Sequence, residues 1–330
     1  MIQWISILRV IAMLMIVICH VIGYYTFIPG HNHLGQFFNV GVEIFIFISG
    51  YLYSSKIIHF SFSFYWGRYK KLCIPSIIWG LAILCMTYFQ GLRELPVIIL
   101  NLTGLSFLKS DWSLIHDFPG MGHTWFLTII FMCYMMLPIL YRIKLNYTGG
   151  VRRAIIILSW MLAIDLGIRY ECHLYYFPLF AAGYFIHDWM RIEKYSRNYF
   201  FLSFILLIVM AGFRVLMRHF FDGTAVYDYG VVPVCMSVIS LCITIIVHEG
   251  CFLIRNSLSA ITGNRIYQYL DDCNFYIYIV HYFWVPVIYE KLGYLYGTFV
   301  FAMAVYCSAI ALKSADKLFR SLFVSHEKRL

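Results

Sequence analysis

Along almost the whole chain, stretches of about 20 predominantly apolar residues alternate with short segments that hold most of the Lys and Arg. A hydrocarbon layer about 30 Å thick offers no water to backbone N–H and C=O groups, so only helices and closed barrels cross it. Twenty residues at about 1.5 Å rise give the length of a spanning helix, twice that of a tilted barrel strand. Composition agrees: 62% of the 330 residues are hydrophobic, 19% aromatic and 12% charged, against about 25% charged in an ordinary soluble domain. The expected fold is an all-α polytopic membrane protein with about ten transmembrane helices. The spans fall near 4 to 26, 36 to 55, 73 to 91, 121 to 141, 152 to 169, 173 to 188, 199 to 219, 229 to 249, 272 to 290 and 295 to 313. The first ends at Gly23, Tyr24 and Tyr25 rather than at a small-residue cleavage site, and it reads as a retained span. With no internal repeat and loops too short for an appended soluble domain, residues 1–330 are expected to form one integral-membrane domain.

The formal charge of +9 raises the question of an anionic partner, and topology answers it. If the N-terminus is cytoplasmic, eighteen Lys and Arg lie on that side: four in 56 to 71, four in 142 to 153, three in 191 to 197, two in 255 to 265 and five after 312. The opposite side holds six. Such a bias in short loops places both termini in the cytoplasm, and nucleic acid is not an expected partner. The ten cysteines lie mostly within spans, without a C-x-x-C pair or His/Cys ligand spacing, so packing rather than metal binding is expected. The longest external segment, 92 to 120, contains an apolar run from Leu95 to Leu108 too short to span, which suggests an interfacial or re-entrant piece.

Ionisable groups inside a bilayer are costly enough to mark function by default. Arg9 and His20 are eleven residues apart on the first span, nearly on one face and separated by about 16 Å of helix rise. Glu43, in the second span, sits about two turns from its external end, as His20 does in the first, so the two fall at similar depth. A carboxylate beside an imidazole fixes its tautomer and raises its basicity; the plainer alternative is a hydrogen bond gluing two helices. Before the third span, Tyr65-Trp66-Gly67-Arg68-Tyr69-Lys70-Lys71-Leu72-Cys73-Ile74-Pro75 interleaves three cations with aromatics. Alone it reads as a positive-inside anchor; beside Arg9 it suits the phosphates and base of a polyanionic cofactor such as coenzyme A. Gly122-His123-Thr124-Trp125-Phe126-Leu127 opens the fourth span, and Asn274-Phe275-Tyr276-Ile277-Tyr278-Ile279-Val280-His281 fills half of the ninth. Asp165, Arg169, His187 and Arg214 are further polar groups near or within spans, without an evident role.

In order and spacing, Arg9 and His20, Gly41-Val42-Glu43 through Ser49-Gly50-Tyr51-Leu52, Arg68 to Pro75, Thr124 to Leu127 and Tyr276 to His281 resemble the integral-membrane acyltransferase-3 family over most of the chain. The resemblance implies transfer of an acyl group, commonly acetyl, from cytoplasmic acyl coenzyme A to a hydroxyl of a cell-surface or exported polysaccharide, or of its lipid-linked precursor. It also implies a bacterial plasma membrane. His20 matches the family's essential histidine, Arg9 the arginine before it, and Glu43 an acidic position. The paired arginines before the third helix appear as Arg68 and Lys71; lysine keeps the charge but loses the planar bidentate fork. The hydrolase-like C-terminal domain of some relatives is not expected here, so transfer is completed in the bundle or by a partner.

The expected site therefore combines His20 and Glu43 as catalytic residues, with His20 a general base or a transient acyl carrier. Arg9, Arg68, Lys70 and Lys71 hold the donor acetyl-CoA, with no tightly bound cofactor and no metal. Tyr24, Tyr25, Trp125, His281 and residues 92 to 120 face the saccharide acceptor, where aromatics stack on sugar rings. The rival reading is a proton-coupled secondary transporter or sugar-lipid flippase, which intramembrane His and Glu also suit; the internal repeats common in transporters are missing. A scaffold without catalysis would leave the ordered match to chance. Acyl group, acceptor and oligomeric state are not legible in the residues.

Overall fold

A computed structural model describes residues 3–23, 31–56, 60–86, 120–190 and 196–327. Among them the secondary structure is helical, without strands. The helices are α1 (Gln3–Gly23), α2 (His31–Phe38), α3 (Val40–Ser54), α4 (Phe62–Met86), α5 (Trp125–Met135), α6 (Leu137–Asn146), α7 (Gly149–Tyr170), α8 (Tyr176–Met190), α9 (Arg197–Phe221), α10 (Val232–Leu253), α11 (Arg255–Gly263), α12 (Arg265–Leu292) and α13 (Tyr294–Glu327). A 3₁₀ turn, Gly122–Thr124, precedes α5, and a π turn, Tyr227–Val231, precedes α10.

Each expected span falls on a helix, but seven among the described residues are both long and apolar enough to cross a membrane: Gln3–Gly23, Leu34–Ser54, Phe62–Met86, Gly122–Asn146, Arg197–Phe221, Tyr227–Leu253 and Tyr296–Leu322. Of the rest, α7 is long but carries more charge, α12 is long but its apolar residues are interrupted by Asn274, His281 and several tyrosines, and the apolar part of α8, Tyr176–Ile186, is shorter. Helix α4 starts eleven residues before the expected third span, so Arg68, Lys70 and Lys71 are helical rather than in a loop. Side chains three and four apart meet on a helix, and here Phe62 stacks on Trp66, Trp66 on Tyr69, and Arg68 lies over the Phe64 ring at 5.2 Å. Pro75 inside α4 lacks an N–H and frees the Lys71 carbonyl.

The chain divides into two compact units, and α1 and α12 pass from one to the other after Ile16 and Asp271. In the first unit α3 is the central element. A Cβ on Gly41 would lie 2.3 Å from the Ala12 carbonyl oxygen of α1, and one on Gly50 would lie 2.1 Å from that of Phe180 in α8. Nine positions at about 100° each put these glycines on opposite faces, so α3 is wedged between α1 and α8. Val40, Cys235, Met236 and Ile239 form a buried cluster joining α3 to α10. Helix α9 covers α10 with 11% of its apolar window buried, as a lipid-facing helix does.

In the second unit α4, α5, α13 and the later part of α12 pack around large aromatics. Trp79 meets Phe283 edge-on at 5.9 Å, and Trp284 Nε1 donates to Ser308 Oγ at 2.9 Å. Gly120 has φ +75° and would place a Cβ 2.7 Å from that of Phe283, so only glycine lets the turn before α5 sit against α12. Gly120→Ala is expected to lower the thermal unfolding midpoint of the detergent-solubilised protein by several degrees, from about 1–3 kcal/mol of backbone strain and overpacking. An unchanged midpoint would mean this turn does not hold α12.

Candidate active site

His20 lies in the last turn of α1, half-buried, and two residues of α12 and one of the 3₁₀ turn surround it. Its ring is 4.7 Å from the Tyr282 ring, 5.3 Å from His281 and 6.3 Å from His123, centre to centre. His123 and His281 are 5.0 Å apart. All belong to the second unit. The sequence placed His281 near the site and gave His123 no part; the signal for His123 was its position two residues before Trp125, at the mouth of an apolar span.

Tyr278 organises these rings. Its carbonyl accepts from His123 Nε2 at 2.8 Å and from His281 Nδ1 at 2.7 Å, and its hydroxyl donates to the His123 carbonyl at 2.6 Å. A carbonyl only accepts, so the nitrogens facing it carry the hydrogens and the tautomers follow. His123 and His281 thus keep bare nitrogens, Nδ1 and Nε2, and neither finds a hydrogen-bond partner among the described residues. Both side chains are buried. An unmet buried acceptor costs about 1–3 kcal/mol, a standing cost that a ligand's donor group would remove. Pro286, one turn beyond Tyr282, deletes the backbone bond to the Tyr282 carbonyl within a helix that continues to Leu292.

The other expected residues fall in both units. Arg68, Lys70 and Trp125 belong with His20, as does exposed Lys71. Arg68 is half-buried against Phe64, and Lys70 lies over the Trp66 ring at 5.8 Å. Phe62 and Trp66 are exposed. This is a ladder of stacked rings and cations along one helix.

Arg9 and Glu43 belong to the first unit. Arg9 faces Asp271 of α12 at 3.8 Å, beside a hydrogen bond between Ser6 and Tyr267. Residues three apart on α1 therefore meet residues four apart on α12. At 3.8 Å the Arg9 contact is charge attraction rather than a formed hydrogen bond. The sequence gave no role to Asp271, whose carboxylate reads as charge on a helix end until its partner is seen.

Glu43 is fully buried on α3, and its Oε1 accepts from Tyr175 Oη at 2.9 Å. Its Oε2 has no hydrogen-bond partner among the described residues, and buried Arg214 is the charge that acts on it. The Arg214 Nη1 also lies 3.3 Å from Met236 Sδ. Tyr175→Phe should destabilise the protein by about 0.6–2 kcal/mol, as for buried hydrogen bonds between membrane helices, read in reversible unfolding in bicelles; no change would show that Glu43 is held by other groups. Asp165 and Arg169 form an exposed i,i+4 pair at 3.0 Å. Tyr24, Tyr25, the segment 92 to 119 and the His187 side chain lie outside the described residues.

No group of three His, Cys, Asp or Glu suited to a metal ion occurs among the described residues. The seven long apolar helices among the described residues define a membrane protein. The chain belongs to the acyltransferase-3 family: residues 2–314 match the family model described as an acyltransferase domain, and the protein is a membrane acyltransferase. Neither the curated proteins nor the solved structures compared with it include a match.

Proposed function

We propose that this membrane acyltransferase moves an acyl group, in the first place acetyl, from cytoplasmic acyl coenzyme A to a hydroxyl of a cell-surface or exported polysaccharide or its lipid-linked precursor. Its place is then the plasma membrane of a bacterium, with both termini cytoplasmic. The observation that carries the reading is His20: a half-buried imidazole, within ring contact of His281 and Tyr282, in a chain of this family.

In this reaction the acceptor hydroxyl gives its proton to His20 as its oxygen attacks the thioester carbonyl. The carbon–sulfur bond breaks, and the coenzyme sulfur leaves with the proton that His20 returns. The donor's phosphates lie with Arg68, Lys70 and Lys71, and its adenine stacks against the exposed Phe62 and Trp66. Arg9, eleven residues before His20 on α1, stands about 16 Å away along the helix, a span suited to an extended pantetheine arm. Trp125 and His281 serve the saccharide.

The test is reconstitution in liposomes with acetyl-labelled coenzyme A and a lipid-linked saccharide extract. Label on carbohydrate is expected; donor binding without transfer would make the acyl group or acceptor wrong, and concentrative saccharide uptake without acyl exchange would replace the reading with transport. Arg68→Ala with Lys71→Ala should raise the donor KM roughly tenfold or more, the loss of one charge-assisted hydrogen bond or two, and leave the acceptor KM within twofold. Equal rises in both would assign these side chains to folding.

A further inference from the structure

His123 is a residue to which the proposed reaction so far gives no task, and it shares one unusual property with His281: each is a buried imidazole tied by its N–H to the same carbonyl, that of Tyr278. We infer that His123 and His281 form a pair of fixed hydrogen-bond acceptors beside His20 that grips two hydroxyls of the saccharide, so that the enzyme requires a hydroxyl adjacent to the one it acylates.

The pair stands on geometry. Because the Tyr278 carbonyl fixes both tautomers, His123 Nδ1 and His281 Nε2 are acceptors, and both are buried without a partner among the described residues. Their rings are 5.0 Å apart, and His20 lies 5.3 Å from one and 6.3 Å from the other. Two neutral acceptors in a buried place select a ligand that donates without carrying charge. Neighbouring sugar hydroxyls do this; phosphates and carboxylates do not. Pantetheine amides also donate, so the donor arm is the alternative source of the same chemistry. The inference rests on the acyl-transfer reading only for the identity of the saccharide.

Amide side chains separate gripping from mere structure. In His123→Gln the Nε2 amide keeps the bond to Tyr278 and the acceptor at Nδ1 is lost; in His281→Asn the Nδ2 amide keeps the bond and the acceptor at Nε2 is lost. Each should raise the acceptor KM in the liposome assay about tenfold with the donor KM within twofold, while His123→Asn and His281→Gln, which restore an acceptor atom, should recover much of it. Wild-type kinetics in both of the first two variants would overturn the proposal, as would a rise confined to the donor KM. A second measurement does not depend on turnover: nitrogen NMR of histidine-labelled wild type in nanodiscs, assigned with the same variants. The two bare nitrogens should shift upfield on adding the lipid-linked saccharide extract and stay put with acetyl coenzyme A. Movement with acetyl coenzyme A alone, or none with either, would overturn the pair; wild-type protein that shows the saccharide shift but transfers no label would keep it and remove the acyl-transfer reading instead.

Discussion

His20→Ala should lower acyl transfer by about 10²- to 10⁴-fold, the contribution of a positioned general base, while the variant inserts and unfolds as the wild type does. The side chain is half-buried, and ring contacts account for its neighbours, so truncation removes no hydrogen bond between elements among the described residues. His123 and His281 do not substitute, because both are buried and turned by their bonds to Tyr278, whereas His20 alone of the three is open enough to meet a donor and an acceptor together. His20→Gln sharpens the test. Glutamine still accepts a hydrogen bond but does not take a proton at neutral pH, so it should be as inactive as alanine. Transfer within tenfold of wild type in His20→Gln would show that His20 orients a substrate and that the proton goes elsewhere. Donor binding, followed by calorimetry on the same preparations, should stay within twofold in both variants.

How far such a site can be read from residues depends on where its order originates. The apolar periodicity and the cost of intramembrane charge carry the all-helical architecture, and the marked polar residues His20, Glu43 and Arg9 stand out because the surrounding residues are so apolar. Their partners do not. Asp271 reads as an ordinary charge near a helix start, yet it faces Arg9 at 3.8 Å. Tyr175 reads as one aromatic among many until its hydroxyl is found on Glu43. Tyr278 acts mainly through its backbone carbonyl, a group every residue has and no sequence pattern reveals. The start of α4 was hidden for a related reason: Arg68, Lys70 and Lys71 look like a loop by charge, but stacking of Phe62, Trp66 and Tyr69 favours helix there. Ten spans were expected from hydropathy, whereas length and apolarity together support seven among the described residues, since α7 puts charges, and α12 Asn274, His281 and several tyrosines, within long helices.

Gly50→Ala should destabilise the fold more than any other single change considered, by about 3 kcal/mol or more. The new methyl carbon would lie 2.1 Å from the Phe180 carbonyl oxygen, where carbon and oxygen need more than 3 Å. The obstacle is backbone, which has no rotamer to swing aside, so α3 and α8 must separate by about 1 Å along their length. Separation strips contact from buried Phe47, Tyr51, Phe180 and Tyr184, and it pulls at the bond from Tyr175, in the turn just before α8, to Glu43 of α3. Association of membrane helices relies on such close packing, because lipid supplies no hydrophobic force between them. Gly183 repeats the arrangement in reverse: its added Cβ would lie 2.1 Å from the Phe47 carbonyl oxygen. Each glycine thus makes room for the other helix's backbone. Once either substitution has forced the helices apart, the second meets less resistance, so Gly50→Ala with Gly183→Ala should cost well under the sum of the singles. Reversible unfolding of the four proteins in bicelles measures this coupling. Additive costs would mean that the two crossings yield independently, and a Gly50→Ala protein as stable as wild type would mean that α3 and α8 do not approach this closely in the membrane.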